Sequence, residues 1–412
     1  MKSGYRKTVI GLIPDEWKVQ NLAEISKKIT DGDHATPKRT AQGYYLLSAR
    51  NIQNGKIDTR DVDYVGLSEF QRMKLRCNPE AGDILISCSG SIGRVAVVPA
   101  GLECVLVRSA ALAKIDSRLA DGIFIQFWLQ GHTAQRQIAS SVNQGAQPNL
   151  FLNHIERLAC PQPPLHEQQA IAQALSDVDA LIAALDRLIA KKRDIKQATM
   201  QQLLTGKTRL PGFSGKWEVK KLGDVGAFHK GSGVKKDEAR SGDLPCVRYG
   251  EIYTHHNDYV RVFNSWISRQ VAETATLLRQ GDIMFAGSGE TKEEIGKCVA
   301  FVDNVEAYAG GDIVILRPTC VDSLFLSYLL NTPEVSSQKA SRGQGDAVVH
   351  ISSSALASVS LSLPQLAEQT AIAAVLSDLD AELTAIEARR DKTRAIKQGM
   401  MQELLTGKTR LI

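Results

Sequence analysis

The sequence predicts two mixed α/β (α+β) modules separated by an antiparallel coiled coil of two long helices, the whole built as an internal repeat. Three observations carry this. The string QQLLTGKTRL at Gln201–Leu210 recurs as QELLTGKTRL at Gln402–Leu411. Pro163–Leu210 matches Pro364–Leu411 at 28 of 48 positions. Each of these stretches carries apolar residues at heptad spacing, the pattern of a coiled-coil seam.

The elements follow in order. Residues 1–160 form a first variable module, 161–210 a helical one, 211–362 a second variable module and 363–412 a second helical one. WKVQNLAEI at Trp17 is echoed by WEVKKLGDV at Trp217, and Gly82-Asp83-Ile84 by Gly281-Asp282-Ile283. Gly82–Ser87 and Arg94–Val98 read as strand-like runs around a Ser/Gly turn, and Ile123–Leu129 and Leu324–Leu330 as short apolar helices.

The first seam is Ile171, Leu175, Val178, Ile182, Leu185 and Ile189; the second is Ile372, Leu376, Leu379, Leu383 and Ile386. Prolines precede both helices, and Gly206 and Gly407 stand where C-terminal caps belong. About 39 residues at 1.5 Å each make a rod of about 58 Å. Two matching seams in one chain favour antiparallel pairing, with the variable modules at opposite ends and the rod as a spacer between them.

Composition excludes several classes. The chain has 412 residues, 43% hydrophobic and 23% charged, which is globular rather than disordered. No apolar run reaches the length of a membrane helix, and Val9–Ile13 is too short for a signal peptide. Seven scattered cysteines without a Cys-x-x-Cys pair suggest reduced thiols in a cytoplasmic protein. The net charge is only +5. If the chain binds DNA, part of the phosphate neutralisation comes from a partner.

Catalytic motifs fail on spacing. TGKT lacks the upstream glycine of a phosphate loop, whose position is held by Gln201 or Gln402, and its glycine closes a helix instead of opening one. Pro14-Asp15-Glu16-Trp17-Lys18 holds the letters of a nuclease motif, but contiguous residues cannot surround one metal as separate strands do. Asn78-Pro79-Glu80 is not an adenine-methyltransferase motif, and His255-His256 lacks a third ligand, so no metal is expected. The remaining candidates are polar loops whose side chains can read phosphates and base edges. In the first module these are Lys38, Arg39, Arg50, Asn51, Ser89, Ser91, Arg94, Gln144, Gln147 and Asn149. In the second they are Lys230, Lys235, Lys236, Arg248, Tyr249, Ser288, Lys292, Arg342, Gln344 and His350.

The chain resembles the specificity subunits of type I restriction–modification systems along essentially its whole length. PPLHEQQAIAQAL at Pro163–Leu175, its copy LPQLAEQTAIAAVL at Leu363–Leu376, the doubled LLTGKTRL, the IPDEWKVQNLAEI opening and the Gly82–Gly93 run carry the likeness. The second module departs from it, with GSGETKEEIG in place of the shorter turn. The resemblance implies two target-recognition domains about a pseudo-dyad, each reading half of a bipartite, asymmetric double-stranded DNA site. It further implies two methyltransferase subunits docked at the coil and restriction subunits completing the complex. S-adenosylmethionine, ATP and magnesium would then belong to those partners, leaving this chain non-catalytic. The rival readings are a self-contained methyltransferase or nuclease, and a coiled-coil scaffold or DNA-binding adaptor of another methyltransferase system.

Overall fold

The structure, a computed structural model, describes residues 4–142, 148–345 and 348–411. The chain divides into two units, Met1–Asp186 with Ala388–Ile412, and Arg187–Glu387. The two long helices, Leu165–Leu203 and Leu366–Leu404, each span 39 residues, and each contributes one part to either unit.

In the first unit the central sheet has the strand order Val95–Val97, Ile84–Ser87, Ala110–Ile115, Ser26–Asp31, with every neighbour antiparallel. The second unit repeats it with Cys298–Ala300, Ile283–Ala286, Ile313–Pro318 and Gly226–Lys230. The middle strands Ile84–Ser87 and Ile283–Ala286 are buried at every residue, which explains their unbroken apolar runs. A smaller sheet in each unit contains one parallel pair: Tyr44–Leu47 beside Cys104–Leu106, and Leu244–Val247 beside Tyr308–Ala309. This is α+β architecture, repeated.

The strand after each echoed tryptophan pairs with the strand that leads into a long helix. Lys18–Asn21 lies antiparallel to Ala159–Gln162, and Glu218–Lys221 to Ser360–Leu363. The predicted short helices form at Gly122–Gln130 and Ser323–Leu330, where Asp121 and Asp322 accept from the third helical amide, each at 2.9 Å.

Seam residues Ile171, Leu175 and Leu185 are buried in the first unit, with Val178 and Ile182 half-buried. In the second unit Ile189, Ile372, Leu376 and Leu383 are buried, with Leu379 and Ile386 half-buried. Around them, Lys397 pairs with Asp179 at 2.6 Å and Arg394 with Asp186 at 3.0 Å in the first unit. Lys192 pairs with Glu382 at 2.7 Å and Lys196 with Asp380 at 2.8 Å in the second.

Candidate nucleic-acid interface

The repeated helical motifs act as frames for the modules. Glu167, the acid of HEQQ, is fully buried, accepts from the Trp17 indole at 3.1 Å and pairs with Arg410. Its neighbour Gln168 accepts from the Asp121 amide at 2.9 Å and so holds the cap of the Gly122–Gln130 helix. Glu368 and Gln369 repeat this with Arg209 and the Asp322 amide. The TGKTR strings thus end their helices by anchoring an arginine over a tryptophan. Arg410 lies 5.6 Å from the Trp17 ring and Arg209 5.8 Å from Trp217.

Each frame places a cleft at the same point of its unit. In the first, the Leu150 amide donates to the Cys88 carbonyl at 2.8 Å, and Ser89 bridges to Asn149. The resulting cavity of about 960 Å³ is lined by Asp31, His34, Ser89, Arg108, Ser109, Asn149, Phe151 and Asn153, among others. In the second, the Ile351 amide donates to the Gly287 carbonyl at 3.0 Å, and Ser288 and Gly289 pair with His350 and Val349. That cavity, about 470 Å³, is lined by His229, Lys230, Ser288, Asp312, His350, Ser352 and Ser353, among others.

Sheet register makes the two clefts equivalent. Asp31 lies opposite Ala111, one residue beyond the Ala110–Ser87 pair. Lys230 lies opposite Val314, one residue beyond the Ile313–Ala286 pair. Asp31 in one cleft therefore corresponds to Lys230 in the other, and Asn149 to His350. The scaffold is shared while the charge on the wall is reversed.

Ser89, Asn149, Lys230, Ser288 and His350 are brought to the clefts. Gln344 joins the second through reciprocal backbone bonds with His350, at 2.9 and 2.8 Å. Arg94 and Ser91 flank the first, tied by the Arg94 amide to Ser87 Oγ and by Ser87 Oγ to the Ser91 carbonyl. Lys38, Lys235, Lys236, Lys292 and Tyr249 are exposed outside the cleft linings. Arg39 and Arg50 share Asp63, each at 3.2 Å. Arg248 pairs with buried Glu251 at 3.3 Å. Gln144 and Gln147 lie outside the described residues.

One expected contact is corrected. Asn51 is buried, its amide donating to the Asp58 and Asp61 carbonyls at 3.1 and 2.9 Å, so it braces a loop from within. Arg342 donates to the Gln338 carbonyl at 2.5 Å and to Ser358 Oγ at 2.8 Å.

Sequence reasoning marks the polar loop Asp31–Arg39 without singling out Asp31 or His34, and misses Arg108. Asp31 receives His34 Nε2 at 2.6 Å and Arg76 at 2.5 Å. Burial raises its pKa, but these hydrogen bonds and the adjacent positive charge outweigh burial and hold the carboxyl below its usual value. Arg108 offered one signal: a cation two residues ahead of the strand Ala110–Ile115, at its mouth.

The model for the type I restriction modification DNA specificity domain matches this chain twice, at residues 14–192 and 214–395. The chain belongs to the family of type I restriction–modification specificity subunits. The type I restriction enzyme MjaVIII specificity subunit of Methanocaldococcus jannaschii is 22% identical over 97% of this chain and 94% of that protein. The EcoKI specificity subunit of Escherichia coli is 24% identical over 70% of this chain and 65% of its own. Among solved structures, the type I restriction-modification S subunit from M. genitalium has a TM-score of 0.62 at 15% identity, covering 94% of this chain and 96% of its own. The specificity subunit thus carries the family's DNA-specificity domain in two copies, and its fold is that of solved relatives. Among the described residues no helix is long and apolar enough to cross a membrane.

Proposed function

We propose that each unit reads one half of a bipartite, asymmetric double-stranded DNA site, residues 1–160 and 211–362 being the target-recognition domains. The observation that carries this reading is the pair of register-equivalent clefts with different linings, Asp31 and Asn149 against Lys230 and His350. A shared frame with unlike reading surfaces suits two unlike half-sites. In this reading the long helices pair as an antiparallel coiled coil, supported by the Lys397–Asp179 and Lys192–Glu382 ion pairs within the units. The chain is non-catalytic and cytoplasmic. It directs two methyltransferase subunits and, in the full complex, the restriction subunits; S-adenosylmethionine, ATP and magnesium bind those partners.

Replacing residues 211–362 by the matching segment of another specificity subunit tests the reading. With methyltransferase subunits present, sequencing of methylated DNA should show one half-site exchanged and the other unchanged. A change in both halves would refute it.

A further inference from the structure

The floor of the second cleft is a hydroxyl–imidazole pair. Ser288 is buried, and its Oγ lies 2.9 Å from Nδ1 of exposed His350. The bond fixes the ring from below, through a serine that is itself held in the Ser288–His350 strand pairing. Gln344 closes the backbone behind His350 from the other side. In the tautomer that carries its proton on Nε2, Ser288 Oγ–H donates to Nδ1 and the outer edge of the ring is a donor. Lys230 lines the same cleft, and among the described residues its ammonium has no ion-pair partner. In that tautomer Lys230 and His350 together present two donors in the second cleft, beside the Asp312 carboxylate. The first presents at the matching positions Asn149, whose side chain both donates and accepts, and Asp31, already engaged by Arg76 and the His34 ring.

From this, we infer that Lys230 and His350 determine specificity for a guanine in the half-site read by the second unit. Guanine is the base whose major-groove edge shows two acceptors, N7 and O6, and a donor pair is its complement. Adenine places an amino group where O6 stands, so it meets one of the donors with a donor and is rejected. Ser288 acts by positioning His350. The inference rests on the DNA-reading proposal above and adds to it the base and the residues.

The test uses the full chain assembled with its methyltransferase subunits, and maps the methylated motif for wild type, His350→Asn and Lys230→Ala. His350→Asn installs the residue found at the equivalent place in the first unit. Either change should lower the preference for guanine at one position of the half-site assigned to residues 211–362, by roughly 5- to 150-fold for loss of a good base contact. The other half-site should stay as it was, which also shows that the variant folds and assembles. Ser288→Ala should weaken the same preference without altering which base is favoured. A motif unchanged in all variants, or a change at a position that holds no guanine, overturns the inference while leaving the DNA-reading proposal standing. Absence of any directed methylation by the wild-type complex overturns that proposal, and this one with it.

Discussion

Arg410 and Glu167 form a two-point ion pair across 243 positions of sequence, Nε to Oε1 at 2.5 Å and Nη2 to Oε2 at 2.8 Å. Arg209 and Glu368 repeat it, with both contacts at 2.5 Å. The repeats differ at the tryptophan. Trp17 Nε1 donates to Glu167, whereas Trp217 Nε1 is buried with no hydrogen-bond partner among the described residues. Removing either arginine strands a buried carboxylate, an effect of roughly 3 kcal/mol or more. Arg410→Ala should destabilise the first unit and Arg209→Ala the second, read by hydrogen exchange in the strands at Lys18 and Glu218. Trp→Phe separates the repeats. At Trp17 it removes a bond to a charged acceptor and should cost roughly 1.5–3 kcal/mol beyond any packing change, while at Trp217 that loss is absent.

The glycines of the two TGKTR strings should also differ in tolerance. Gly206 and Gly407 have φ of 67° and 70°, so alanine is strained at both. A Cβ on Gly206 would meet the Trp217 ring edge at 3.2 Å, a tight contact that a shift of the ring by a few tenths of an ångström relieves. On Gly407 it would meet the Pro14 ring at 2.5 and 2.6 Å, which cannot turn aside. Gly206→Ala should cost roughly 1–2 kcal/mol from backbone strain. Gly407→Ala should cost roughly 3 kcal/mol or more once overpacking is added. Denaturant unfolding of the two variants checks the order.

The long helices were legible because a heptad seam repeats locally, and Ile171 or Ile372 needs no distant partner to declare its spacing. The clefts were only half legible. Ser89 and Ser288 sit in turns whose composition marks them, but Asp31, His34 and Arg108 come together from a strand end, a loop and another strand's mouth. Asp31 and His34 stand three positions apart in one stretch, but nothing in the local pattern links them to Arg108. Asn51 was misread for the opposite reason: an asparagine in a polar loop looks the same in sequence whether it faces solvent or, as here, satisfies two carbonyls from inside.

Thiol chemistry should single out one site. Cys320 is exposed, while the other six cysteines are buried. Burial pushes the Cys88 thiol in the first cleft up to about 12 and Cys298 up to about 11, so neither is a thiolate at neutral pH. Alkylation of the native chain at pH 8 should add one adduct, at Cys320, and Cys320→Ser should abolish it. Rapid labelling of Cys88 would show that the first cleft opens more than this packing allows.

Acid should loosen the first cleft before the second. Asp31 is buried enough to raise its pKa, yet the hydrogen bonds and charges of Arg76 and His34 bring it below the ordinary 3.8, and Asp33 is lowered likewise by Arg72. A carboxylate depressed in the folded state contributes stability that is complete above its unfolded pKa and disappears as pH falls through the folded value. The loss therefore begins near pH 4 and deepens below it. Protonated Asp31 would release Arg76 and His34, and with them the wall of the cleft. Lys230 holds the equivalent position in the second unit, so no matching step is expected there. Hydrogen exchange across residues 30–36 should rise below about pH 4, relative to the pH dependence of free peptide, ahead of residues 229–235. Arg76→Ala should move the rise to higher pH, because the carboxyl loses the donor that keeps it ionised. An unchanged profile in that variant would show that Arg76 does not govern the acid response of this cleft.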